Sequence, residues 1–424
     1  MIRRKISAFI SLLLTAALLG SCSDGGSDEP QKKWPDRPKP ETADQTVLFY
    51  LSGQSLLRYF RDTNIPEIKR AIDEHILYDS RVLVFIQPSA RQSLLIEYSF
   101  DYDTQGCRAD TLRRYEELSS IRSADIARVF TDVGELAPAK RYGLVLGSHG
   151  GGWVPALYKD LNTNEDDAAD PDFLSLGGST PFDWLHKSPG AEATRWFGEH
   201  DYETADLKEW AAAFELSPID FEYMIFDACF MSNIESLYRL RHAARYIVGS
   251  PCEIMGRGMP YATTLPDLFT DKGRSYDLEA FCRHFYDYYA TTTSTRQSGC
   301  IALTVTEELD ELARRMKALN AAAQADPDLS GLQIYEGLDR PLFFDFRQYA
   351  ERISGDASLL DAFREQFDRT FPEPCRFHTP SFYSGFNGRM NPVDYYSGVT
   401  VSTPSDKFPA AWAETEWAQA TEVR

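Results

Sequence analysis

Two side chains able to do covalent chemistry each stand at the end of an apolar run. YGLVLG (142–147) leads into Ser148-His149 and three glycines, Gly150 to Gly152, then Trp153. FEYMIFDACF (221–230) ends on Asp227-Ala228-Cys229. Short aromatic and β-branched runs of this kind are expected as buried strands. A residue at the carboxyl end of such a strand sits where open α/β sheets place their ligands. Cys229 is then a candidate nucleophile and His149 a candidate general acid for the leaving amine. Glycines beside the histidine allow close backbone approach and leave N–H groups to donate. The amides of Gly150 and Cys229 are the candidate oxyanion hole. After Cys229, apolar residues at Ile234, Leu237 and Tyr238 have helical spacing, which puts the cysteine on a strand-to-helix turn. A helix starting close by would favour thiolate.

Asp227 precedes the cysteine by two residues and so projects from the same strand face. A carboxylate there disfavours thiolate, and the helix start, a protonated His149 or a cationic substrate side chain would offset it. It is a candidate substrate-binding residue, with capping of the following helix as the competing role. Glu253, in the loop SPCEIMGRGMPY (250–261), is a second substrate-binding candidate if that loop lines the crevice, and a solvated glutamate if it does not.

The elements that must position these groups are legible as alternating patterns. TVLFYLSG and RVLVFIQPS flank a helical stretch interrupted at Pro66, a βαβ unit. SLLIEYSF (93–100) is expected to pair antiparallel with its predecessor across a short turn, and a helical or polar stretch to follow. LKEWAAAFEL (207–216) reads as a helix before the cysteine strand, and Tyr246–Gly249 as the strand after it. Further on come a helix around Leu278–Tyr289, the strand CIALTVT (300–306) and charged or aromatic helices. DYYSGVTVST (394–403) is a last strand candidate and AAWAETEWAQA a last helix. Residues 154–205 form a long insertion between the two candidate catalytic residues, the length at which loops are usually functional. Its stretch Asp160-Leu161-Asn162-Thr163-Asn164 superficially resembles the start of a calcium loop but lacks the glycine and acid that follow in one.

In this order and spacing, Ser148-His149-Gly150-Gly151-Gly152-Trp153, Phe226-Asp227-Ala228-Cys229-Phe230-Met231 and Gly256-Arg257-Gly258-Met259-Pro260-Tyr261 resemble the clostripain family of cysteine peptidases. The resemblance spans roughly residues 44 to 405. It implies a three-layer α/β/α caspase-like sandwich with a largely parallel central sheet, here with a C-terminal α/β extension. It also implies a Cys–His dyad at Cys229 and His149, and an aspartate at Asp227 that selects Arg or Lys before the scissile bond. Members often cleave themselves in the loop between the dyad residues, which here offers Lys159, Lys187 and Arg195. Some use calcium, with an Asp/Asn-rich turn after the first strand; this chain has Ser52-Gly53-Gln54-Ser55, and no cofactor or metal is expected.

Residues 1–21 read as a secretion signal, with Arg3, Arg4 and Lys5 ahead of an apolar core, and Leu19-Gly20-Ser21-Cys22 resembles a bacterial lipobox. Acylated Cys22 would begin the mature chain and anchor it to the lipid bilayer of the cell envelope. Residues 22–43, rich in Pro, Gly, Ser and charge, are a flexible tether. Residues 44–265 are the expected catalytic domain and 266–424 an extension that covers and lengthens the sheet. With 424 residues and 43% hydrophobic content the chain can bury a large core. The formal charge of −20, or −23 without the three positive charges of residues 1–21, argues against a nucleic-acid partner. Beyond Cys22 and Cys229, five cysteines remain without a framework spacing and are expected as buried thiols with at most one disulfide. The reading is an anchored endopeptidase acting on Arg/Lys-containing peptides. The competing one is a catalytically silent lipoprotein that holds a peptide or glycan on the same fold.

Overall fold

The structure, a computed structural model, describes residues 34–36, 39–53, 56–74, 76–154, 196–200, 203–269, 276–292, 297–338 and 340–422. The signal segment, Cys22, the calcium-like stretch 160–164 and the basic candidates Lys159, Lys187 and Arg195 lie outside these residues.

Strands β1 (Gln45–Leu51), β2 (Ser80–Ser89), β3 (Gln92–Asp101), β4 (Gly106–Glu116) and β5 (Tyr142–Gly147) form one side of the sheet. A hairpin of β6 (Trp196–His200) and β7 (Glu203–Asp206) stands apart from it. Then come β8 (Phe221–Asp227), β9 (Ala244–Gly249), β10 (Cys300–Val305), the two-residue β11 (Phe344–Asp345) and β12 (Arg376–His378). Nine of them make one sheet in the order β12-β10-β9-β8-β5-β1-β2-β3-β4. The five central strands, from β9 to β2, are mutually parallel, and an antiparallel pair closes each side.

Both faces of the parallel strands are covered, so these strands read as continuous apolar runs. Alternation of period two still sorts their side chains. Leu48, Tyr50, Leu144, Leu146, Met224 and Phe226 enter one core, under the helices Ser123–Leu136, Leu207–Glu215, Ile234–Arg239, Leu309–Ala321, Phe346–Ile353 and Ala357–Thr370. Val47, Phe49, Leu51, Val145, Tyr223 and Ile225 enter the other, against the helices Ile65–Asp73 and Leu278–Thr291. The result is a mixed three-layer sandwich.

The polar stretch after β3 differs from expectation: residues 106–116 are a full strand, β4, at the sheet edge. Most of its residues are partly or fully exposed, and Tyr115 alone is buried, so no apolar period marks it. At the other edge, β12 is a half-exposed three-residue strand, short and polar for the same reason. DYYSGVTVST contributes only Thr400–Val401, paired with β11.

Candidate active site

The register of β5 against β8 pairs Gly147 with Asp227, the last residue of each strand. His149 and Cys229 each lie two residues past that pair, level with one another at neighbouring carboxyl ends. Each also has the parity of a residue in the same core layer, Val145 for the histidine and Ile225 for the cysteine. The chain stays close beyond the last paired residues: Ser148 N–H donates to Asp227 O at 3.4 Å. A Cβ built on Gly150 would stand 2.2 Å from Cys229 O and 3.0 Å from Cys229 N, so only glycine fits against the peptide of the nucleophile candidate. His149 is buried, with 6% of its surface exposed.

Cys229 is 4% exposed and held by one residue of the adjacent loop. Its Sγ accepts from Ile254 N–H at 3.3 Å and faces Ile254 O at 3.9 Å. The next residue, Phe230, has φ +60°, a left-handed conformation that costs a bulky L-residue strain and is retained only where surroundings impose it. Phe230 N–H donates to Cys252 O at 3.1 Å, and its ring stacks on Phe343 at 4.9 Å and 12°. This turn differs from the expected helix start. The helix begins at Ile234 and is capped by Asn233, whose side chain accepts from Ser236 N–H, so its terminus lies five residues beyond the thiol. Burial, then the negative charge of Glu253, pushes the Cys229 thiol well above its ordinary value. These surroundings favour thiol over thiolate.

Asp227 does not cap the helix. It is 5% exposed and points into the loop after β9: Oδ1 accepts from Met259 N–H at 3.1 Å and Oδ2 from Tyr261 O–H at 2.7 Å. Gly258, at φ +72°, lies over the carboxylate, and a Cβ there would meet both oxygens at 2.7 Å. Burial raises the carboxyl to about 6, with the Tyr261 and Met259 hydrogen bonds pulling the other way. It is therefore ionised above that pH, a buried negative charge one strand step from the nucleophile.

Glu253 takes neither of the two positions open to it from sequence. It is 3% exposed, and both oxygens accept from Gly385 N–H, at 3.0 and 3.1 Å, which ties the loop to the C-terminal part of the chain. Desolvation lifts its carboxyl to about 7. The residues not anticipated are Ile254, Tyr261 and Gly385. Tyr261 stood inside the quoted block as the residue closing the Gly256-Arg257-Gly258 turn, whereas nothing local marks the other two.

Cys107, Cys252, Cys282, Cys300 and Cys375 are free thiols, and all but Cys107 are buried. Among the described residues no three His, Cys, Asp or Glu side chains form a metal-holding group, and no helix is long and apolar enough to cross a membrane.

A cysteine level with a histidine at the carboxyl ends of two adjoining parallel strands, inside an α/β/α sandwich, is the arrangement of the caspase-like cysteine peptidases. Residues 183–351 match the model of the clostripain family. A secreted C11 cysteine protease of Bacteroides thetaiotaomicron, iotapain, is 30% identical over 90% of this chain and 99% of its own, with a TM-score of 0.74. An inactive zymogen C11 protease from Parabacteroides distasonis is 26% identical over 90% and 99%, with a TM-score of 0.71. Another secreted C11 protease of Bacteroides thetaiotaomicron, in complex with an irreversible peptide inhibitor, shares the fold at 22% identity and a TM-score of 0.71, over 90% of this chain and 100% of its own. No curated protein matches the chain. The chain belongs to the clostripain family, and it is a cysteine peptidase.

Proposed function

We propose that the protein is an endopeptidase that cleaves after Arg or Lys, with Cys229 as nucleophile and His149 as its acid–base partner. The observation that carries this is the β5–β8 register, which brings the two residues level, with Asp227 two residues before the cysteine on the same strand. Cys229 Sγ, as thiolate, attacks the scissile carbonyl carbon, and the carbonyl electrons move onto oxygen beside the Gly150 and Cys229 amides. Collapse of this intermediate breaks the C–N bond, and His149 gives its proton to the leaving amine. Water, deprotonated by His149, then hydrolyses the thioester and restores the thiol. Asp227 supplies the negative charge for a basic side chain.

The burial of Cys229 supports reading the intact chain as a precursor, activated by cleavage in the 154–205 insertion after Lys159, Lys187 or Arg195. The lipobox-like Leu19-Gly20-Ser21-Cys22 supports an envelope-anchored form acylated at Cys22, and no step above needs a metal. Fluorogenic peptides ending in Arg or Lys test the reading. Wild type cleaved within 154–205 should hydrolyse them under reducing conditions, Cys229→Ala should lose at least about 1,000-fold, and Asp227→Ala should lose the basic preference. No hydrolysis by cleaved wild type, or hydrolysis unchanged in Cys229→Ala, would leave the silent binding protein as the better reading.

A further inference from the structure

The loop that covers Asp227 carries a basic side chain of its own. Arg257 precedes Gly258, the residue lying over the Asp227 carboxylate, and follows by three Ile254, which touches Cys229 Sγ. Its Nη2 donates to Glu67 Oε1 at 2.8 Å, and its guanidinium stands 5.5 Å from the centroid of the Tyr288 ring. The backbone beneath it is fixed, since Asn64 Nδ2 donates to Arg257 O at 3.3 Å and Tyr289 O–H to Gly258 O at 2.7 Å. The side chain is less constrained: half of Arg257 is exposed, against 12% of Glu67. Glu67 Oε2 is buried and accepts no hydrogen bond among the described residues. Glu67 is also near enough to Asp227 for its charge to help hold that carboxyl up, and Tyr261 and Tyr289 feel both acids.

The geometry points to Glu67 as a second acidic residue of the basic-residue pocket and to Arg257 as its resting occupant, which a substrate's Arg or Lys must displace. This rests on the proposed cleavage after basic residues and adds the residues that tune it. An ion pair with one exposed partner is weak and exchanges readily for a better one. Arg257 uses one oxygen of Glu67 and leaves the other unsatisfied, whereas a substrate guanidinium presenting its planar fork could engage both. A lysine ammonium, a point donor, gains less from the second oxygen. Arg257 thus sets a threshold for entry, and Glu67 tilts the pocket towards Arg.

The test compares KM and kcat of the enzyme on matched peptides with Arg, Lys or Ala before the scissile bond. Arg257→Ala should lower KM for the Arg and Lys peptides by about two- to fivefold, the range of a partly exposed ion pair. Its kcat should stay unchanged, as should its KM for an alanine peptide, whose side chain is too short to displace Arg257, and Arg257→Lys should restore the wild-type KM. Glu67→Gln should raise KM for Arg more than for Lys, and in that background Arg257→Ala should have no further effect. Arg257→Gln serves as a second variant should the alanine melt early. Unchanged KM in both Arg257 variants, or an equal gain for alanine, overturns the inference. If wild type cleaves after Arg and Asp227→Ala abolishes that while Arg257 variants behave as wild type, this inference alone fails. If wild type has no basic preference at all, the pocket assignment fails with it.

Discussion

At the scale of single residues, Cys229 is governed by what surrounds its sulfur. Burial is the first cause of its raised pKa and Glu253 the second, acting through the short loop whose Ile254 N–H touches Sγ. The carboxyl of Glu253, lifted to about 7 by burial, ionises near neutrality and then opposes the thiolate. Glu253→Gln removes that charge while keeping an acceptor for Gly385 N–H. Alkylation of Cys229 by iodoacetamide at pH 8 should become faster in this variant, by up to about tenfold, the effect of one pKa unit. At pH 5.5, where Glu253 is protonated in the wild type, the two rates should converge. Equal rates at pH 8 would show that the charge does not reach the sulfur.

Elements bring these residues together, and the decisive one is the pair of strand ends at β5 and β8. Their parallel register fixes the level of His149 and Cys229, and the contact is tight enough to exclude a methyl group at Gly150. Gly150→Ala would press a Cβ against backbone that cannot swing away, so the strand ends must separate. Overpacking of this kind typically costs about 1–3 kcal/mol. Thermal melting should show a lower Tm, and peptidase activity should fall by more than about 100-fold, as for a lost oxyanion donor. A variant with wild-type activity would place Gly150 outside the machinery. The loop 250–261 is the second such element, since it holds Cys229 through Ile254 and Asp227 through Met259 and Tyr261.

For the molecule as a whole, the C-terminal part is joined to the site by buried polar contacts. Gly385 N–H meets Glu253, Trp153 Nε1–H donates to Ser402 Oγ at 2.7 Å, and Glu235 accepts from Ser402 N–H and Trp412 Nε1–H. Glu336 adds a buried carboxyl raised to about 8, mainly by desolvation, with Oε1 accepting from Leu342 N–H at 2.7 Å and Oε2 without a partner among the described residues. A carboxyl whose folded pKa lies above its unfolded value binds its proton more tightly in the folded state. The stability this gives is fully present below the unfolded pKa, near 4.5, and is lost as pH rises through about 8. Glu336→Gln does not titrate, so its Tm relative to wild type should climb between pH 5 and pH 8.5. A difference constant over that range would mean the carboxyl is not buried as the structure has it.

Local pattern alone was enough for the fully buried strands of the sheet and for the identity of the chemical groups. β1, β2, β5, β8 and β10 are apolar because both their faces are covered, and that burial is written locally in every residue. Cys229, His149 and Asp227 were legible because each ends such a run. The edge strand β4 and the short β12 were not, because strands exposed on one side need no apolar pattern. Nor did local spacing reveal the state of the groups. The thiol's environment comes from Ile254, 25 residues on, Asp227's partners from 32 and 34 residues away, and Glu253's from 132. A strand pattern records which side faces the core, but a hydrogen bond between distant loops leaves no period in the chain. Only the folded structure decided that Cys229 is covered, Asp227 lies under a glycine loop, and Glu253 is fastened to the far end of the protein.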